Sequence, residues 1–240
     1  MIPVADSNPT RRFPVVTWTL IGINVLAFLF ELSLPARQLD HLVLTYGVVP
    51  NQIVTALANP AQVSWLVWAT LITSQFLHGG WAHIIGNMLF LWVFGDNIED
   101  ILGHFVYLIF YLTSGVAASF TQVFIAGPSG IPSIGASGAI AGVLGAYILL
   151  YPLARVSIIV PLFIYFTTIE LPALFVLGWW FVQQFFYGIG SLSSAMEGGV
   201  AFWAHVGGFI VGLILILPFI GRARRRKQRP VYDGYYNRPF

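Results

Sequence analysis

Apolar residues in this chain gather in long blocks rather than at the short spacings of a water-soluble fold. Blocks of about the length a helix needs to cross a bilayer run from Pro14 to about Leu32 and over Trp81–Ile101, Phe105–Ala126, Ala136–Tyr151, Ile169–Gly188 and Val200–Ile220. The pattern predicts an all-α, polytopic membrane bundle of six transmembrane helices. The first block is too long for a signal-peptide core and no small-residue cleavage site follows it, so it is expected to be retained. Residues 33–80 form a long connection that is itself apolar, with Trp65, Trp68, Leu71 and Phe76. Such a connection is expected to be functional and to lie in the interface as short helices. The stretch Ser157–Thr168 is also apolar and is expected to extend the fifth span or to lie along the interface. The resulting division is a cytoplasmic tail at 1–13, a membrane domain at 14–221 and a basic cytoplasmic tail at 222–240.

Composition agrees with lipid as the main solvent: 58% of the 240 residues are apolar and 8% are charged, against about 25% charged in soluble domains. The absence of cysteine excludes disulfides and thiolate metal sites. Charge placement predicts orientation. With six spans both termini share a side, and ten of the eleven basic residues, all but Arg37, then fall on it. The positive-inside rule makes that side cytoplasmic. The basic run Arg222–Arg229 reads first as a topology anchor, with contact to anionic lipid headgroups as the alternative. Nucleic acid is not an expected partner. No internal repeat suggests a duplicated transporter.

Polar side chains inside membrane helices are costly and tend to be functional. Four fall at matching depth. His83 and Asn87 lie four residues apart at the start of the second span, on one helical face. Ser137 opens the fourth span, and His205 lies near the start of the sixth. These three spans run in the same direction, so all four side chains share one level of the membrane. Ala201, His205, Gly208 and Gly212 fall on one face of the sixth span, and Ser137, Ala141 and Gly145 on one face of the fourth. Small residues let helices approach closely in lipid, which brings Ser137 within reach of His205. An activated serine needs that geometry. Ser137 is then the candidate nucleophile and His205 the candidate general base and acid. His83, Asn87 and the Ser137 N–H are candidate oxyanion donors. Glu31, Asp40 and Glu197 sit at span ends or in loops, so a dyad is more economical than a triad. Taken singly, a membrane histidine or asparagine has an ordinary helix-packing explanation. Asn24, Gln183 and Gln184 are read that way, His78 as structural or interfacial, and His41 and His104 as solvated. Asp96, Glu99 and Asp100 are read as structural.

At these residues the sequence resembles the rhomboid family of intramembrane serine proteases. Three stretches carry the likeness: Phe76 to Met88, with His83-x-x-x-Asn87, continuing through Phe94-Gly95 and Glu99 to Gly103; Gly135-Ala136-Ser137-Gly138; and Gly199 to Gly208, with Ala204-His205-Val206-Gly207-Gly208, followed by Gly212. The resemblance implies a six-helix bundle with an outward-opening cavity, a fifth helix acting as a lateral gate through Trp179, Trp180 or Phe181, and no metal or cofactor. It implies single-span membrane proteins as substrates, cut in or near the membrane segment. A bacterial inner membrane suits the chain. Two features depart from the family: the Trp-Arg pair that some members carry in the first loop is absent, though Trp65 and Trp68 are nearby, and where many members carry an aromatic residue one turn after the serine, under the histidine, this chain has Ala141. Something else must hold the imidazole. A non-catalytic helix-binding scaffold and a channel or carrier are the alternative functions.

Overall fold

The computed structural model describes residues 2–162, 165–193 and 200–227. Glu197, Gly199, Arg229 and Arg238, which enter the sequence reading, lie outside them. In chain order the elements are β1 (Ile2–Asp6), α1 (Val15–Ser33), α2 (Ala36–Tyr46), α3 (Pro50–Ala58), α4 (Trp65–Thr73), α5 (Trp81–Leu102), α6 (His104–Ala126), α7 (Ser137–Leu150), β2 (Arg155–Leu162), β3 (Tyr165–Pro172), α8 (Ala173–Ser193), α9 (Phe202–Ile216) and α10 (Ile220–Lys227). Short 3₁₀ turns join several of them. The long helices α1, α5, α6, α7, α8 and α9 fall on the six apolar blocks. The connection over 33–80 forms three short helices.

Four segments, α1, α6, α8 and the α9–α10 stretch, are long and apolar enough to cross a membrane. α5 has the length but carries Asp96, Glu99 and Asp100. α7 has 14 residues, about 21 Å of helix, against a hydrocarbon core of roughly 30 Å. Its position explains how so short a helix is tolerated. It packs against α5, α6 and α9, and eleven of its 14 residues are buried, so protein rather than lipid surrounds it.

α1 starts against α5. Its first backbone N–H groups lack intrahelical partners, and Glu99 of α5 supplies one: its carboxylate accepts from Val16 N at 2.9 Å, Thr17 N at 2.8 Å and Thr17 Oγ1 at 2.7 Å. His104 Nδ1 lies 2.5 Å from the same carboxylate. Glu99 therefore is structural, and His104, read as solvated, is half-exposed and paired.

A three-stranded antiparallel sheet, ordered β1-β2-β3, adds to the helical bundle. Residues 2–6, expected as part of a polar tail, pair with β2 from Ile2↔Ile159 to Asp6↔Val156, with a bulge between Pro3 and Ala5. The Ser157–Thr168 stretch does not extend the fifth span as a helix: its described residues pair within the β2–β3 hairpin. Its β-branched and aromatic residues suit a strand, and Val156 and Ile158 alternate inward onto the core.

β1 is fastened to α7 by a polar cluster. Tyr147 donates its hydroxyl to Asp6, Asn97 Nδ2 donates to Asp6 at 3.2 Å, and Asn8 Nδ2 donates to Tyr147 at 2.7 Å. Burial pushes the Asp6 carboxyl up from its ordinary 3.8 to about 6, against the hydrogen bonds that lower it. A carboxyl raised on folding stabilises the fold fully only below about 3.8, and that contribution is lost as pH rises through about 6. Thermal melts in detergent are therefore expected to show greater stability near pH 4 than near pH 7, by on the order of 1–2 kcal/mol. Asp6→Asn is expected to flatten that difference. An unchanged slope in the variant would count against this assignment.

Candidate active site

Three helices begin at the same end of the bundle and carry the candidate residues there. α5 starts after Gly80, whose φ of 149° favours glycine, and places His83 in its first turn and Asn87 one turn on. The segment before α7 passes close beneath His83. A Cβ on Gly135, whose φ is 123°, would lie 2.6 Å from His83 Nε2, so only glycine fits. Ser137 is the first residue of α7, where backbone N–H groups have no intrahelical acceptor. α9 brings His205, buried at 8% exposure.

The α7–α9 seam is as close as the small residues permit. A Cβ on Gly208 would overlap the Gly138 carbonyl oxygen, one on Gly212 the Gly142 carbonyl, and one on Gly145 the Phe209 carbonyl. Across that seam Ser137 Oγ donates to His205 Nε2 at 2.7 Å.

The other imidazole nitrogen fixes the tautomer. His205 Nδ1 lies 2.7 Å from Gln184 Oε1. An amide oxygen only accepts, so Nδ1 carries the proton and Nε2 is free to accept from the serine. Gln184, read from sequence as a helix-packing amide, therefore holds the imidazole. Trp180, on the same face of α8 and one turn earlier, lies beside the ring at a centroid distance of 5.7 Å. The site that lacks an aromatic at Ala141 thus receives one from a different helix. The Trp-x-x-x-Gln spacing on one face of the fifth span was the available signal.

The candidate oxyanion donors are oriented by their neighbours. Gly79 N donates to His83 Nδ1 at 3.3 Å, which leaves the proton on Nε2, the nitrogen nearest Gly135. Asn87 Nδ2 donates to His78 Nε2 at 3.0 Å. An amide nitrogen has two protons, so a second remains. His78 is buried, and its backbone N–H donates to the Glu31 carboxylate at 3.2 Å. The structure thus ties His78 and Glu31 to Asn87, a link that spacing alone does not reveal. Asn24 donates within its own helix, to Leu20 O at 2.8 Å, rather than across helices.

His83, Asn87, Ser137, Trp180 and His205 line one cavity of about 590 Å³, bounded on another side by Pro132–Ile134. That volume lies within the roughly 300–1,000 Å³ typical of ligand sites. A half-buried hydroxyl aimed at an unprotonated imidazole nitrogen, with several N–H donors around one cavity, is able to carry out acyl transfer.

Residues 64–222 match the family model described as Rhomboid domain. The chain is 36% identical over 134 residues to rhomboid protease GluP of Bacillus subtilis (strain 168), covering 55% of this chain and 24% of that protein. It is 31% identical over 150 residues to rhomboid protein 1, mitochondrial, of Saccharomyces cerevisiae, covering 60% and 39%. It is 33% identical over 151 residues to the presenilin-associated rhomboid-like protein, mitochondrial, of Bos taurus, covering 59% and 38%. The chain spans less than half the length of each of these relatives.

Proposed function

The chain belongs to the rhomboid family as an integral, multi-pass membrane protein, and from that premise we propose that it is an intramembrane serine endopeptidase working through a Ser137–His205 dyad. The observation that carries the reading is the 2.7 Å contact from Ser137 Oγ to His205 Nε2, with Gln184 holding the opposite nitrogen. Ser137 Oγ attacks the scissile carbonyl carbon while its proton passes to His205 Nε2. His83 Nε2–H, the free Asn87 N–H and the Ser137 backbone N–H stabilise the oxyanion; one such donor is typically worth about 3–4 kcal/mol. Collapse of the tetrahedral intermediate breaks the C–N bond, and His205 returns the proton to the leaving amine. Water, deprotonated by the same nitrogen, then hydrolyses the ester and regenerates the serine.

The substrates in this reading are single-span membrane proteins. A transmembrane helix hides its carbonyls in hydrogen bonds, so the segment must unwind in the 590 Å³ cavity before attack. α8 is the gate: Trp180 faces both His205 and, at 6.4 Å, Phe90 of α5, so displacing α8 opens the cavity between these helices. The charge distribution supports a bacterial inner membrane with both termini cytoplasmic.

The deciding experiment is labelling of folded protein in detergent by a serine-reactive fluorophosphonate, together with cleavage of a single-span test substrate. Label on Ser137 and cleavage within or near the span are expected. Absence of both from folded protein would overturn the reading in favour of a non-catalytic scaffold.

Gln184 acts as a positioning residue. Gln184→Leu leaves the His205 Nδ1–H without an acceptor and is expected to lower kcat roughly 10–100-fold with KM little changed; a mis-set histidine in a triad costs up to about 10⁴. Gln184→Glu, which keeps an acceptor, is expected to recover most of the rate. Equal loss in both variants would assign Gln184 to packing alone.

A further inference from the structure

Glu31 is the one charged residue of α1, and it stands where a negative charge is least favoured. It lies in the last turn, at the negative end of the helix dipole, and it is buried. An ionisable side chain inside a span is costly and tends to be functional. Packing does not call for it, because α1 and the start of α5 already meet through apolar rings. Phe28 and Trp81 lie edge to face there at 5.1 Å. Glu31 also precedes residues 64–222, the part of the chain that matches the family model.

The carboxylate holds one backbone group. Both of its oxygens accept from the His78 N–H at 3.2 Å. His78 is followed by Gly79 and Gly80, whose wide choice of dihedral angles leaves a connection undetermined unless a contact fixes it. His78 and Gly79 each reach one side-chain donor of the site. His78 Nε2 accepts from Asn87 Nδ2 at 3.0 Å, and Gly79 N donates to His83 Nδ1 at 3.3 Å. The His78 ring also lies edge to face against that of His83, with centroids 5.0 Å apart. One carboxylate on the first span is thus linked to both donors of α5 by a dipeptide that bears no reacting atom.

We propose that Glu31 is a positioning residue for the oxyanion site, setting Asn87 through His78 and His83 through Gly79. The proposal rests on the Ser137–His205 reading and deepens it. Reacting groups must be held within about 0.5 Å of their working geometry. Losing the tether lets the His78–Gly79 backbone shift, and both donors shift with it. The oxyanion exists in the transition state and not in the bound substrate, so the loss falls on kcat rather than KM.

The test uses full-length protein in detergent and reads cleavage of a single-span substrate, melting temperature and inhibition by a peptide aldehyde. The aldehyde carbon takes Ser137 Oγ, and its carbonyl oxygen then occupies the oxyanion position. Glu31→Leu is expected to lower kcat about tenfold with KM little changed, and to weaken aldehyde inhibition by a similar factor. Glu31→Gln, which keeps an acceptor for the His78 N–H, is expected to recover most of both. In a His83→Ala/Asn87→Ala background no side-chain donor is left to position, so adding Glu31→Leu is expected to cost less than about twofold more. Slow variants are followed by their rate of fluorophosphonate labelling. If Glu31→Leu does not fold, His78→Leu and His78→Gln test the same link nearer the site, the first removing the acceptor of Asn87 and the second keeping one. A full tenfold loss in the background without donors would assign Glu31 to packing and overturn the proposal. So would equal losses in Glu31→Leu and Glu31→Gln, or wild-type kcat and inhibition in Glu31→Leu. Wild type that neither cleaves nor labels at Ser137 would instead remove the dyad reading, and this proposal with it.

Discussion

Ser137→Ala and His205→Ala are each expected to lower cleavage of a single-span substrate by a factor of about 10⁴–10⁶, and the double variant is expected to lose no more than the worse single. The two groups share one proton across 2.7 Å. Removing the hydroxyl leaves the imidazole nothing to activate, and removing the imidazole leaves a hydroxyl that is un-ionised at neutral pH and a poor nucleophile. Their losses therefore overlap instead of adding. Each substitution deletes atoms without introducing bulk, so the melting temperature should change far less than the rate. Single-turnover cleavage in proteoliposomes, with melting curves on the same preparations, separates chemistry from folding. A variant lacking either side chain that still cuts at near wild-type rate would remove the dyad. Multiplicative losses in the double variant would show two groups acting independently, contrary to the proposed proton transfer.

The helices and the level of the site were legible in the sequence for one physical reason. Lipid demands long apolar runs, so polar residues inside them stand out, and His83, Asn87, Ser137 and His205 share a depth by topology alone. The glycine spacing gave the seam for the same reason, because small residues at helical intervals have few other uses in a membrane. Other parts follow from long-range pairing that no local pattern encodes. Ile2–Asp6 reads as a polar tail until β2, some 150 residues later, offers its edge. The Ser157–Thr168 stretch has no clear period, and an apolar run without period does not distinguish strand from helix. Gln184 looks like any packing amide, because its role depends on an imidazole 21 residues away on another helix. Ala141 signals a missing aromatic, but Trp180 supplies it from α8 rather than α7, a substitution visible only once the helices are packed.

The second large effect is expected at the seam rather than at the reacting groups. Gly212→Leu places a branched side chain where even a Cβ overlaps the Gly142 carbonyl and its α-carbon. Those atoms are backbone and cannot rotate away, so α7 and α9 must separate. Overpacking a core costs about 1–3 kcal/mol and sometimes more. In lipid, helix association rests mainly on van der Waals contact and interhelical hydrogen bonds, with little hydrophobic drive to re-form a widened interface. A separation of about 1 Å would also lengthen the Ser137–His205 contact beyond hydrogen-bonding distance. Gly212→Leu is therefore expected to lose fluorophosphonate labelling and to melt well below wild type, although residue 212 lies two turns from His205 and touches no reacting atom. Gly22→Ala is the control, because a Cβ there meets nothing within 4 Å and alanine favours helix over glycine by up to about 1 kcal/mol. It should retain labelling and stability. If Gly212→Leu labels and melts like wild type, close backbone approach is not what brings the serine to its base, and the site must be assembled by α8 through Gln184 and Trp180 instead.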